Sequence, residues 1–158
     1  MYDPVLNING FEAGAPQGSK TIIPHTARAA LDLRTPYGVD VTDAGETIAS
    51  AVRAVAPEVE VDVYEVCPPA RTSPDSAVAR AMIASHADVG PEARVWPSSP
   101  WWAPYYLFEQ TLGIPFAQGG AGHSSGAHGA NEYASIEGIR AHMKQSITFL
   151  HRFAEESR

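Results

Sequence analysis

Residues 21–34 read TIIPHTARAALDLR, and the architecture can be worked out from this stretch. After the β-branched pair Ile22 and Ile23, small or apolar side chains alternate with more polar ones. One face carries Ala27, Ala29, Leu31 and Leu33, and the other carries Arg28, Ala30, Asp32 and Arg34. A period of two is typical of a strand with one face towards a core, so we predict a half-buried strand.

The neighbouring sequence predicts further elements around this strand. Upstream, Val5, Ile8 and Phe11 indicate a strand, and the turn-forming residues that follow make a hairpin with residues 21–34 plausible. Downstream, Thr42 is the predicted N-cap of a helix of about three turns that Pro57 ends. Residues 59–66 alternate valine with charged or aromatic side chains, which predicts a strand with a solvent-facing polar side.

A second module is predicted to begin near residue 68, where Pro68 and Pro69 break the pattern. Helices are expected at 75–87 and about 103–112, and short strands at 94–96 and 115–118. Ser135 can cap a final helix whose apolar residues recur every three or four positions and are expected to be core: Ile139, Met143, Ile147, Leu150 and Phe153. The predicted fold class is α/β with α+β.

Composition excludes several classes of function. The net charge of −7, from 11 Lys and Arg against 18 Asp and Glu, argues against nucleic-acid or anionic-membrane partners. Because no apolar stretch approaches the ~20 residues of a membrane span and no signal peptide is evident, we expect a cytoplasmic protein. The single cysteine, Cys67, excludes an internal disulfide and reads as a buried strand-end residue rather than a nucleophile.

Candidate chemistry is concentrated in the glycine-rich loop 119–132, which holds His123, His128 and Glu132. Ligands in α/β proteins usually bind at such strand ends, and a neutral imidazole is a good zinc ligand. A histidine in a loop is also commonly an ordinary surface residue, so spacing alone leaves both readings open. A Ser–His hydrolase is disfavoured because no nucleophile elbow of the Gly-x-Ser-x-Gly kind precedes a helix at Ser124 and Ser125.

Four motifs, in order, resemble landmarks of the zinc-dependent aminoacylase, dipeptidase and carboxypeptidase G family, which includes acetylornithine deacetylase and succinyl-diaminopimelate desuccinylase. They are Ser19–Pro24 with the strand ending Asp32-Leu33-Arg34; Pro69-Ala70-Arg71-Thr72 with Pro74-Asp75-Ser76; Leu112-Gly113-Ile114-Pro115; and His128-Gly129-Ala130-Asn131-Glu132-Tyr133 followed by Ser135-Ile136-Glu137. Together they cover nearly the whole chain.

The resemblance implies a small α+β lid that also makes a dimer contact, inserted into an α/β catalytic domain with two bridged zinc ions. Residues 1–68 would be part of the lid, and residues 69–158 the carboxy-terminal part of the catalytic domain. His128 would be a metal ligand, and Arg34 would face the carboxylate of a small peptide or N-acyl amino acid substrate. An ordinary salt bridge, for example to Asp32 or Glu46, is the alternative for Arg34.

One segment departs from the family pattern. Relatives have a glycine-rich, substrate-binding turn where this chain has the bulky residues 97–106. Ser98 and Ser99 remain as substrate hydrogen-bond donors. The aromatic side chains nearby could line a pocket, or pack against another part of the domain or a subunit: Trp101, Trp102, Tyr105 and Tyr106.

Two-metal amide hydrolysis also needs bridging carboxylates and a general base. The resemblance places these in a leading segment that the 158 residues do not contain, so we expect no catalytic residue, no complete metal site and little peptidase activity from the chain alone. The expected partners are that leading half or a second copy of the chain. The alternative function is a non-catalytic dimerisation or ligand-binding module, in which open strand edges recruit a partner.

Overall fold

The structure is a computed structural model that describes residues 3–14, 21–64, 66–90, 92–99, 101–120 and 122–158. Packing divides the chain into a first unit, Met1–Pro69 with Ser98–Ala103, and a second unit, Ala70–Pro97 with Pro104–Arg158. Helices and small antiparallel sheets confirm the predicted mixed α/β class. Several segments discussed above include positions outside the described residues, namely residues 15–20, 65, 100 and 121.

The first unit contains the predicted hairpin, in which β1 (Val5–Ala13) pairs antiparallel with β2 (Ala27–Arg34). The register shifts between Ile8 and Gly10, so Asn9 is the extra residue of a β-bulge. Because directly opposed residues share a face, the bulge places one apolar set on one side of the ribbon: Leu6, Ile8 and Phe11 opposite Leu33, Leu31 and Ala29.

The expectation that this strand is half-buried is only partly met. Ala30, Asp32, Leu33 and Arg34 are half-buried, but the rest of β2 is exposed, and Phe11 on the apolar face of β1 is 73% exposed. A ribbon of two strands supplies too little area to cover either of its own faces.

Helix α1 spans Val41–Val55 and ends before Pro57, as predicted, but it is about four turns long and its N-cap is Asp40 rather than Thr42. The Asp40 carboxylate accepts the backbone N–H groups of Thr42 at 2.8 Å and Asp43 at 3.1 Å. A carboxylate both satisfies these otherwise unpaired donors and complements the helix dipole, so it outcompetes a hydroxyl two residues later.

The prediction of a strand at 59–66 is wrong for the described residues of that segment, which belong to no sheet. The segment passes beside α1, where Arg53 Nη2 donates to the Val61 carbonyl at 3.2 Å. Period-two alternation indicates an extended chain, but a strand also needs a hydrogen-bonded neighbour, and the described residues supply none there.

In the second unit, α2 (Ala77–Val89) packs on α3 (Ile136–Glu156), and Ser76 and Ser135 cap the two helices. Both helices lie where the sequence predicted helices. Ala81 and Ser85 of α2 are fully buried, and so is Gln145 of α3. The Gln145 amide nitrogen donates to Ser85 Oγ at 3.3 Å and lies 3.2 Å from the sulfur of Met82.

The prediction that the apolar stripe of α3 forms the core is wrong. Its members are all exposed, from 38% for Phe153 to 66% for Leu150. Successive helical residues turn by about 100°, which puts most of the stripe opposite Gln145. Because α2 contacts the Gln145 side, the stripe faces outwards.

Other parts of the second unit are less regular than predicted. Residues 94–96 and 115–118 form no strand, and a short π-helical segment, Leu107–Thr111, replaces the helix expected at 103–112. The Tyr105 and Phe116 rings stack with centroids 5.0 Å apart. No described helix has the length and apolar character required to cross a bilayer.

We expect Asp40→Ala to lower the free energy of unfolding by about 1 kcal/mol, because two helix N–H groups lose their acceptor. Thr42→Ala, the matched control, should change it by less than about 0.5 kcal/mol, because the Thr42 side chain is exposed. Urea denaturation followed by circular dichroism measures both, and equal effects would contradict Asp40 as the cap.

Candidate functional site

The glycine-rich loop is closed by a small hairpin in which β3 (Ser124–Ser125) pairs with β4 (Tyr133–Ala134). Next to it, the Ser135 N–H donates to the His123 carbonyl at 2.9 Å. His123 Nε2 lies 3.1 Å from the Tyr133 hydroxyl, within hydrogen-bond distance. These contacts fix both ends of the loop that carries His128. The sequence analysis did not predict the pairing of His123 with Tyr133, because nothing in the spacing of the two residues indicates it.

His128 lies in the turn that this hairpin closes, and its side chain is exposed. The backbone is left-handed at His128 and at Asn131, with φ of 63° at both. A left-handed histidine costs of order 1 kcal/mol, which nearby contacts must offset. Glu132 does so in part, because its carboxylate accepts the His128 N–H at 3.3 Å. Glu132 therefore helps to shape the turn.

The loop is held against the first turn of α3 by a close approach of two glycines. A Cβ added at Gly138 would lie 2.7 Å from the His123 nitrogen and 2.9 Å from the Gly122 Cα. Backbone atoms at these distances cannot make room as a flexible side chain would. Gly138 therefore lets the start of the loop lie directly on the helix.

Arg34 is at the end of β2, with its side chain 38% exposed. Its Nε donates to the carboxylate of Asp32 at 2.8 Å, which is one of the salt bridges considered from the sequence. Residues two apart on a strand share a face, so the pleat holds this pair together. Whether Arg34 also binds substrate stays a prediction.

Ser98 and Ser99 lie shortly before the two tryptophans in the sequence. Ser98 is half-buried and Ser99 is exposed, and Ser99 Oγ accepts the Trp101 N–H at 3.3 Å. Trp101 and Trp102 are both about two-thirds exposed, and the pocket and packing alternatives for them both stay open. The substrate roles of the two serines stay predictions.

Cys67 is half-buried, and its Sγ donates to the Ala103 carbonyl at 3.6 Å. Burial raises the pKa of its thiol above the usual value, which favours the protonated and unreactive form. The prediction that Cys67 is a buried strand-end residue is wrong, because it is only half-buried and the described residues of 59–66 form no strand.

The predicted site residues are divided between the two units: Arg34, Ser98 and Ser99 belong to the first, and His128 to the second. Across the described ranges, no three His, Cys, Asp or Glu side chains are arranged to hold a metal ion. A groove of about 200 Å³ beside α2 and α3, which sequence reasoning did not predict, is lined by Met82, Gly119, His142, Gln145, Ser146, Phe149 and Leu150.

Gly138→Ala is expected to destabilise the protein by about 1–3 kcal/mol, because the added methyl meets backbone atoms of the loop. In an ordinary helix the same change stabilises by up to about 1 kcal/mol, so the sign of the effect is diagnostic. Gly90→Ala is the control, since a methyl there meets nothing within 4 Å. Urea denaturation measures the free energy of unfolding of both variants, and a higher value for Gly138→Ala than for the unaltered protein would refute the close approach.

Comparison with known proteins shows which family this chain resembles. Residues 1–60 match the model of the peptidase dimerisation domain of M20 peptidases. The M20 family metallo-carboxypeptidase Sso-CP2 from Sulfolobus solfataricus is 35% identical over 95% of this chain, with a TM-score of 0.80. The di-peptidase Dug1p from Saccharomyces cerevisiae shares the fold, at 22% identity over 96% of the chain and a TM-score of 0.75. No curated protein matches the chain.

The chain spans about a third of each of these two structures, 36% of Sso-CP2 and 34% of Dug1p. The dimerisation-domain match and the similarity to Sso-CP2 agree with the resemblance read from the sequence motifs. Together they support the assignment of this chain to the M20 family of metallopeptidases.

Proposed function

We propose that this chain is the carboxy-terminal part of a zinc-dependent peptidase or N-acyl amide hydrolase that cuts next to a substrate carboxylate. The observation that carries the proposal is the 35% identity to a metallo-carboxypeptidase across nearly the whole chain. Residues 1–68 would serve as part of the lid and dimerisation segment, and residues 69–158 as part of the catalytic domain. The dimerisation-domain match over residues 1–60 supports this division.

His128 is the proposed metal ligand. Its exposed side chain sits in a turn whose backbone is restrained by the β3–β4 hairpin and by Glu132. A metal that binds the imidazole therefore has less of the backbone to order.

The described side chains do not fit a two-metal centre by themselves, since His128 belongs to no group of three potential ligands among them. We therefore propose that the remaining ligands and the general base come from polypeptide outside these 158 residues. The chain alone would then have little peptidase activity.

Arg34, Ser98 and Ser99 are proposed to bind substrate. The Asp32 carboxylate restrains the Arg34 guanidinium at 2.8 Å, and a guanidinium held in one orientation suits a planar carboxylate. The serine hydroxyls would add hydrogen bonds to the same ligand.

A chimera tests the metal role, with this chain replacing the matched 36% of Sso-CP2. We expect the chimera to bind zinc and to release carboxy-terminal residues from peptides. His128→Ala should lower activity by more than about 100-fold and reduce bound zinc, measured by elemental analysis. His151→Ala, an exposed helical histidine, is the control. Equal zinc content and activity in the two variants would refute His128 as a ligand.

A dimerisation function is supported by a separate observation, the match of residues 1–60 to a peptidase dimerisation domain. The β1–β2 ribbon in that range has strand edges to which no other described strand pairs, and such edges recruit partners. We propose that the first unit joins two copies of the chain.

Sedimentation equilibrium at micromolar concentration should show a dimer of the 158-residue chain. Met143→Asp, on the outer face of α3, should leave the dimer unchanged because the proposed contact lies within residues 1–60. A monomer at these concentrations, or a dimer abolished by Met143→Asp, would contradict the proposed contact.

A further inference from the structure

The bulge of β1 places an asparagine directly before a glycine. Asn9 is the residue that the β1–β2 ladder skips, because Ile8 and Gly10 on either side of it pair with neighbouring residues of β2. All nine residues of β1 are exposed, so Asn9 is open to water. A bulged residue leaves the regular hydrogen-bonding pattern, and its backbone is held less firmly than that of its neighbours.

An asparagine that precedes a glycine can react with its own backbone. The Gly10 nitrogen gives up its proton and bonds to Asn9 Cγ, the Cγ–Nδ2 bond breaks, and ammonia leaves. The product is a succinimide ring. Water then opens this ring at either of its two carbonyls, which leaves an aspartate or an iso-aspartate at residue 9. The reaction consumes only water, and it contributes to the thermal lability of asparagine in proteins.

The structure favours this reaction at Asn9 in two ways. Gly10 has no side chain to obstruct the approach of its nitrogen to Cγ, and glycine gives the backbone the freedom that ring closure requires. The sheet that holds Asn9 has two strands in the described chain. Such a ribbon is only marginally stable by itself, so local opening at the bulge costs little free energy.

The other two asparagines of the sequence do not share this environment. Asn7 pairs with Asp32 in the regular part of the ladder, and the β-branched side chain of Ile8 follows it. Asn131 is followed by Glu132, which also carries a side chain. The same molecule therefore contains two internal references for the reactivity of Asn9.

We propose that Asn9-Gly10 is a self-modification site, at which Asn9 converts spontaneously to aspartate and iso-aspartate. Each conversion replaces a neutral amide by a carboxylate, so the formal net charge of −7 becomes −8. Iso-aspartate also lengthens the main chain by a carbon atom, because the chain then runs through the former side chain.

The added atom lies where the spacing of the ribbon matters. Leu6 and Ile8 precede the bulge and Phe11 follows it, and all three lie on one side of the ribbon. A single extra atom fits neither a regular ladder nor a bulge of one residue. The iso-aspartate form therefore has a looser ribbon. Because the ribbon lies within residues 1–60, this form should also dimerise more weakly, an expectation that rests on the proposed dimerisation function.

Ageing of the purified 158-residue protein at body temperature and mildly alkaline pH tests the site. Trypsin releases residues 1–20 as one peptide, since Lys20 is the first lysine or arginine of the chain, and tandem mass spectrometry then distinguishes residue 7 from residue 9. We expect Asn9 to be converted at least about tenfold faster than Asn7 or Asn131. The rate should rise with pH, because the attacking nitrogen must lose its proton.

Gly10→Ala is the decisive variant, because it keeps Asn9 and changes only the attacking residue. A methyl group at Gly10 meets the Ala30 Cβ at 3.8 Å, an ordinary contact, so the fold accommodates it. We expect conversion of Asn9 to slow by at least about tenfold with no loss of folded stability. Asn9→Gln is the matched control, since its longer side chain would have to close a larger ring and should stay unmodified.

Equal rates at Asn9 and Asn7, or a Gly10→Ala protein that is converted as fast as the unaltered chain, would overturn the proposal. Sedimentation equilibrium of the aged proteins keeps this result separate from the proposed dimerisation. A dimer that weakens at least about tenfold on ageing in the unaltered chain but not in Asn9→Gln would support both. A fully converted chain that remains as strong a dimer would support the modification and count against the ribbon as the dimer contact.

Discussion

The second unit depends on the contact between α2 and α3, where Gln145 is buried against Ser85 and Met82. Leaving a buried amide without partners costs more free energy than its hydrogen bonds contribute when they form. The Gln145 side chain must therefore face its partners, whereas an apolar side chain can pack in several orientations. This pairing sets which side of α3 faces α2. The helix consequently turns most of its apolar row away from its neighbour, and the start of the same helix contacts the loop that carries His128.

Local elements could be predicted from the sequence because their causes are local. The hairpin follows from alternation around Ala27–Arg34, and the helices at α2 and α3 follow from Ser76, Ser135 and the spacing of apolar residues. The cap of α1 was misplaced by two residues, because Asp40 and Thr42 are both competent acceptors and only the backbone geometry distinguishes them.

Features that need a partner could not be predicted in the same way. Val59, Val61 and Val63 alternate as a strand should, yet a strand exists only where a neighbour supplies hydrogen bonds. The periodicity of α3 likewise identifies an apolar face without saying what covers it. For the candidate site, sequence motifs could identify His128 and Arg34 as candidates. The left-handed turn, the Glu132 contact and the close approach of Gly122 and Gly138 could not be predicted, because they depend on which residues lie close together in the folded chain.

The bulge at Asn9 corrects an odd interval in β1, because Ile8 and Phe11 are three residues apart and still lie on the same side of the ribbon. A regular ladder over the same sequence would turn Leu6 and Ile8 to the opposite side from Phe11. Among family members we therefore expect the side chain at this position to vary freely, and we expect a relative that lacks the residue to have a regular strand with the same apolar face. The common face, rather than the number of residues, is the inherited property of this strand.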